Sequence, residues 1–298
     1  MLDISMQPAI DIQKEPDQRG IALLDVGIAE VAYPILVPGP AWQGWQPTNG
    51  EFALSVDLPA EQKGTHMSRF MEMLADHDGA ISPQTLPLLA SLQRRLGSSM
   101  ARIEVEFTYF LERAAPVSGK RAKMHYDCAL VGEATGPLVQ QTLPVTAAVG
   151  TLCPCSKAIS ARGAHNQRGH VTMEVRAAAG AEGEPDGIWI DDLVAVAEGV
   201  ASAPLYPLLK RNDEKFVTEL AYDNPRFVED MVRSVAVCLQ QDSRVAWFWT
   251  KVVNQESIHN HVAWAQYEWT RPRDTPRDAT ARDERPLMAK ARRNHPTW

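Results

Sequence analysis

The apolar positions of this chain fall into the order strand, strand, helix, helix, strand, strand, and then run through that order again. In the first half, segments 22–38 and 51–58 predict strands. Met67, Phe70, Met71 and Leu74 recur at helical spacing after a Thr65 cap, and Leu88, Leu89, Leu92 and Leu96 form a stripe that Gly97 stops. Ile103, Val105, Phe107, Tyr109 and Leu111 alternate as in a half-buried strand, with 121–132 as its partner. The second half predicts strands at 138–149 and 170–176, then a helical region opening with Leu193, Val194, Ala197 and Val200. Asn224 as cap and Pro225 in first position launch a further helix, with Phe227, Val228, Met231, Val235 and Cys238 on one face. Strands follow at 245–253 and 261–269, rich in β-favouring aromatics. Strands that bracket helix pairs favour antiparallel sheets with helices on one face, an α+β design. The open edges of such sheets call for oligomerisation.

With 298 residues, 45% hydrophobic and 22% charged, the chain has the balance of a packed protein of one large domain or two. Its net charge of −7 argues against a broad nucleic-acid footprint. Residues 271–298 carry eight Lys/Arg against four Asp/Glu, which leaves −11 on residues 1–270, so an anionic substrate must meet a local basic cluster. The composition divides the chain into a flexible segment 1–19, modules at 20–137 and 138–270, and a charged, disordered tail at 271–298. No apolar run approaches ~18 residues, and no cationic start leads into an apolar core. These features predict a cytoplasmic protein. Four cysteines cannot scaffold a chain of this size, so chemistry explains them better than stapling.

The densest chemistry lies in Leu152-Cys153-Pro154-Cys155-Ser156-Lys157 and Gly163-Ala164-His165-Asn166-Gln167-Arg168-Gly169-His170. Thiolate and imidazole suit a borderline-soft cation such as Zn²⁺, although the spacing matches no zinc ribbon and also fits loop thiols near a structural histidine. Glu256-Ser257-Ile258-His259-Asn260-His261 would put two imidazoles on one face if extended. Glu214 falls in a polar loop, and Glu229 at the flank of its helix's apolar arc beside Val232 and Ala236. Ligands drawn from separated segments leave an open coordination position if only three bind, and such a position lets a metal activate water. Lys63, Arg69, Lys157, Arg168, Lys210, Arg211 and Lys215 are the candidate phosphate contacts. There is no GxxxxGK[ST] and no GxGxxG at a strand-to-helix turn.

The blocks LPAEQKGTHMSRF (58–70), APVSG (115–119), LCPCSKAIS (152–160), GAHNQRGH (163–170), LLKRNDEKFVTE (208–219), NPRFVEDMVR (224–233) and ESIHNH (256–261) together resemble the type IB GTP cyclohydrolases over roughly residues 20–269. That resemblance implies the tunnelling fold (T-fold), with two tandem ββααββ-like modules assembled into a homotetramer with sites at subunit interfaces. It implies conversion of GTP and water to 7,8-dihydroneopterin triphosphate and formate, an early step of folate or queuosine biosynthesis. A divalent metal, Zn²⁺, Mn²⁺ or Fe²⁺, would be held by Cys153, His165, Glu214 and His259. Cys153 would also be catalytic, and Glu229 would anchor the guanine. Gly169, where relatives often carry Ser, is a mild departure.

Two rivals remain at this level. The nitrile-reducing enzymes of queuosine synthesis share the fold, but their Glu-Ser-Lys segment is replaced here by Glu256-Ser257-Ile258. A non-catalytic metal-storage protein would need neither the basic cluster nor a purine-anchoring carboxylate.

Overall fold

In the computed structural model, which describes residues 11–39, 44–76, 85–178 and 187–272, the alternating segments become one nine-stranded antiparallel sheet. In chain order the elements are β1 (Leu23–Pro38), β2 (Trp45–Leu58), α1 (Ser68–Ala75), α2 (Thr85–Leu96), β3 (Met100–Ala114), β4 (Arg121–Thr135) and β5 (Leu138–Leu152). They continue with α3 (Pro154–Ile159), β6 (Asn166–Ala177), α4 (Ile190–Val200), β7 (Ala203–Pro204), α5 (Arg211–Asp223), α6 (Val228–Gln241), β8 (Val245–Asn254) and β9 (Ala263–Thr270). The spatial order is β1-β2-β3-β4-β5-β6-β8-β9, with the two-residue β7 on β5. The first ten residues of the segment expected to be flexible, and the tail from 273 onward, lie outside the described residues.

Period-two alternation decides which face is covered. Ile103, Val105, Phe107, Tyr109 and Leu111 of β3 are buried, and they join one core with Phe70, Leu74, Leu89 and Leu92 of α1 and α2. Further along the sheet the same core takes Val145, Val171, Met173, Phe248 and Val252, against Leu193 and Ala197 of α4 and Met231, Val235 and Leu239 of α6. Burying each such side chain contributes roughly 1.5–3 kcal/mol. Among the described residues the opposite face is an open trough of about 3590 Å³, whose lining mixes apolar side chains such as Trp247 and Trp249 with the polar Arg102, Glu104, Asp127, Thr146, Thr172 and Lys251. Among the described residues no helix is long and apolar enough to cross a membrane.

Several local expectations need correction. The first helix is capped by Met67 and not by Thr65, whose carbonyl accepts a hydrogen bond from Gln13 Nε2 at 2.9 Å. Gly97 does end the second helix, with φ +66°, a backbone state that costs glycine no Cβ clash. Asn224 does not launch a helix. It closes α5, with its backbone N–H and its Nδ2 both bonded to the Leu220 carbonyl at 3.1 and 2.9 Å. The following helix starts at Val228, because Asp230 Oδ2 accepts the Phe227 N–H at 3.2 Å. The helix α5 itself replaces the polar loop expected around Glu214.

Candidate active site

Strand β5 ends at Leu152, and Pro154, which has no N–H to satisfy, opens α3 with Cys153 in the capping position. Ser156 ties this corner together. Its N–H points at Cys153 Sγ at 3.4 Å, and its hydroxyl donates to the Cys153 carbonyl and accepts the His165 N–H, each at 3.2 Å. The Cys153 N–H in turn donates to the His165 carbonyl at 3.1 Å. Cys153 and the His165 backbone are therefore held by one short network, although the two residues lie twelve positions apart in the chain.

His165 is oriented from behind. Its Nδ1 lies 2.8 Å from Gln167 Oε1, while Gln167 Nε2 donates to Thr151 Oγ1 at 3.0 Å. An amide oxygen only accepts, so a neutral ring bonded this way carries its hydrogen on Nδ1 and keeps Nε2 as the nitrogen able to ligate. Glu256 Oε2 stands 3.8 Å from the same Nδ1. His170, the second histidine of that motif, faces the trough instead. Burial, and then the neighbouring Arg168, lower its pKa below the ordinary histidine value.

The segment after α5 crosses back to β5, where the Arg226 N–H donates to the Leu152 carbonyl at 3.0 Å. This brings the first turn of α6, including Glu229, to the cysteine. Cys153 and Glu229 line one pocket of about 180 Å³, together with Gln167, Arg226, Asn254 and Glu256, and with Phe227 and Val228 as apolar wall. Sequence reasoning did not single out Gln167, Arg226 or Asn254, because nothing in their spacing signals a role.

Glu214 occupies the first turn of α5, beside the fully buried Asp213. Burial pushes the Asp213 carboxyl up. Hydrogen bonds from Ser118 Oγ and from the Ser118, Lys210 and Val117 N–H groups, at 2.7–2.8 Å, outweigh it and hold the pKa far below the carboxylate range. This is the structural use of the APVSG block, which forms the β3–β4 turn. His259 lies in an exposed turn and not in a strand, with its N–H on the Glu256 carbonyl at 3.2 Å and its ring stacked on His261 at 4.7 Å.

The structure thus brings Cys153, His165 and Glu229 to one corner. Among the described residues of a single chain, no three His, Cys, Asp or Glu side chains are arranged to hold a metal ion, so Glu214 and His259 do not complete the set within one chain. The donor chemistry at the corner, a half-buried thiol and an imidazole with a free Nε2, fits a divalent cation of the zinc type. Of the basic candidates, Lys63 pairs with Glu15, Arg69 Nη1 donates to the Arg95 carbonyl, Lys157 covers the Tyr222 ring at 4.2 Å and Lys215 pairs with Glu219 at 2.7 Å. Arg168 faces the trough.

A family model described as type I GTP cyclohydrolase folE2 matches residues 10–265. The GTP cyclohydrolase FolE2 of Methylococcus capsulatus is 48% identical over 259 residues, covering 87% of this chain and 94% of that protein. That of Magnetococcus marinus is 46% identical over 262 residues, covering 88% and 96%. Among solved structures, a uricase from Bacillus fastidious superposes with a TM-score of 0.49 at 8% identity, covering 83% of this chain and 94% of that one.

Proposed function

The chain belongs to the type I GTP cyclohydrolase FolE2 family, and from that premise we propose how its pocket opens the guanine ring of GTP. The substrate is GTP, and the overall reaction takes water and yields 7,8-dihydroneopterin triphosphate and formate, for folate synthesis. The observation that carries the reading is the shared pocket of Cys153 and Glu229, since a purine anchor is useful only beside the group that does the chemistry.

Glu229 orients the base by accepting hydrogen bonds from guanine N1–H and the 2-amino group. Its place in the first turn of α6 sets the carboxylate at the positive end of the helix dipole. Cys153 and His165, joined by Glu214 and His259 when subunits assemble, would hold a divalent metal. When bound, that cation supplies the Lewis acidity that makes water a competent nucleophile at neutral pH. Attack at C8 needs a proton on the five-membered ring of the guanine, and Glu256 lines the pocket with Oε2 3.8 Å from His165 Nδ1, a carboxyl–imidazole pair through which a proton can pass. Hydrolysis then releases C8 as formate, and the ribose opens, rearranges and closes onto the exposed amines. Phe227 and Val228 limit water around the base.

The assembly that supports this chemistry is a T-fold homotetramer of two-module chains (20–137 and 138–270) working in the cytoplasm. Its support is the pair of edge strands β1 and β9 and the trough that the described residues leave uncovered, surfaces that a second copy would bury. Nitrile reduction finds no support, since the chain reads Glu256-Ser257-Ile258-His259, with a metal-type ligand, where that family has its Glu-Ser-Lys segment. Incubation with GTP followed by oxidation should give pterin fluorescence, and Glu229→Gln should reduce kcat/KM at least about 100-fold, as expected when a buried polar edge loses its partner. An equally active Glu229→Gln would refute the anchor.

A further inference from the structure

Two polar atoms in the pocket wall are buried without a partner: Asn254 Oδ1 and Arg226 Nε. Buried polar atoms are almost always bonded, so an unpaired acceptor and an unpaired donor in one pocket point to a ligand that pairs with both. Asn254 cannot turn away by shifting its backbone. It ends β8, 2% exposed, paired with Gly169 of β6 on one side and Ala263 of β9 on the other. Gly169 makes room for its side chain, because a Cβ there would lie 2.7 Å from Asn254 Oδ1 and 3.0 Å from Thr151 Cγ2. The Arg226 backbone is likewise fixed, through its N–H on the Leu152 carbonyl at 3.0 Å.

Guanine presents O6 as acceptor, N1–H as donor and a 2-amino group with two hydrogens. A carboxylate takes N1–H and one amino hydrogen, which leaves one donor and one acceptor unread. Resting on the reading that Glu229 anchors guanine, we propose that Asn254 Oδ1 accepts the second 2-amino hydrogen and that Arg226 Nε–H donates to O6. The three residues together then select a 2-amino-6-oxopurine over purines lacking either group. Asn254 and Arg226 are specificity residues, and neither touches the reacting carbon.

The test compares GTP with ITP, which lacks the 2-amino group, and with 6-thio-GTP, which keeps N1–H and the 2-amino group but replaces O6 by a sulfur that accepts hydrogen bonds weakly. Both kcat/KM and equilibrium binding are measured on the purified full chain. Asn254→Ser should lower the preference for GTP over ITP about tenfold, the loss of one hydrogen bond to a buried partner, and leave the preference over 6-thio-GTP unchanged. Arg226→Met should show the reverse pattern. Gly169→Ala, whose methyl displaces the carboxamide although Gly169 does not line the pocket, should reproduce the Asn254→Ser pattern. Melting curves identify variants that fold. Unchanged preferences in folded Asn254→Ser and Gly169→Ala overturn the proposal, as does an equal loss for all three nucleotides in Arg226→Met, which would mark a phosphate contact. If the unaltered protein binds GTP without consuming it, the cyclohydrolase reading fails while the binding preferences still decide the edge reading.

Discussion

At the scale of single residues, the site depends on a relay that runs from Thr151 through Gln167 to His165. Removing its middle member leaves every proposed ligand in place but frees the imidazole to rotate and to change tautomer. Gln167→Ala should therefore weaken divalent-metal affinity, read by titration of metal-depleted protein, by about 10–100-fold. Unaltered affinity would show that His165 needs no such orientation. Cysteine, histidine and the carboxylate of Glu229 could be picked out from the sequence because their residue types carry the chemistry. Gln167, Arg226 and Asn254 could not, since their importance lies in burial and in which neighbours they lack, properties that appear only when β5, β6, β8 and α6 converge.

At the scale of elements, the clamp between α5 and the β3–β4 turn rests on one carboxylate. Asp213 has a folded-state pKa below its unfolded value of about 3.9, so its contribution to stability is fully present above that pH and disappears as acid carries the pH down toward the folded pKa. Asp213→Asn, which keeps the shape but loses the charge, should lower the melting temperature at neutral pH. It should also flatten the acid limb of the stability curve below about pH 4. A variant melting like the original across that range would contradict the clamp. The same carboxylate explains why α5 escaped detection in the sequence. The only side chain α5 fully buries is Asp213, so no apolar stripe announces it. Asn224 and Pro225 then read as the start of a helix, whereas Asn224 finishes the unseen one. The strands and the apolar helices α2, α4 and α6 were legible because period two and period 3.6 follow directly from which side chains leave water.

At the scale of the whole molecule, the described residues of one chain leave the two edges of the sheet unpaired, its trough uncovered and a corner with only part of the proposed ligand set. The proposed assembly would complete each of these. Sedimentation should show a tetramer, and a fully active monomer would exclude sites shared between subunits. Exhaustive chelation should abolish turnover of GTP, with recovery on adding a divalent cation, whereas undiminished activity after metal removal would take the metal out of the reaction. Guanine C8 is lost by hydrolysis at the Cys153 corner in the proposed reaction. GTP labelled with carbon-13 at C8 follows that atom directly by NMR. The label should leave as formate, one equivalent for each GTP consumed, and no labelled formate should form with Cys153→Ala. Label retained in the purine or in the product, or formate released equally by Cys153→Ala, would contradict the account.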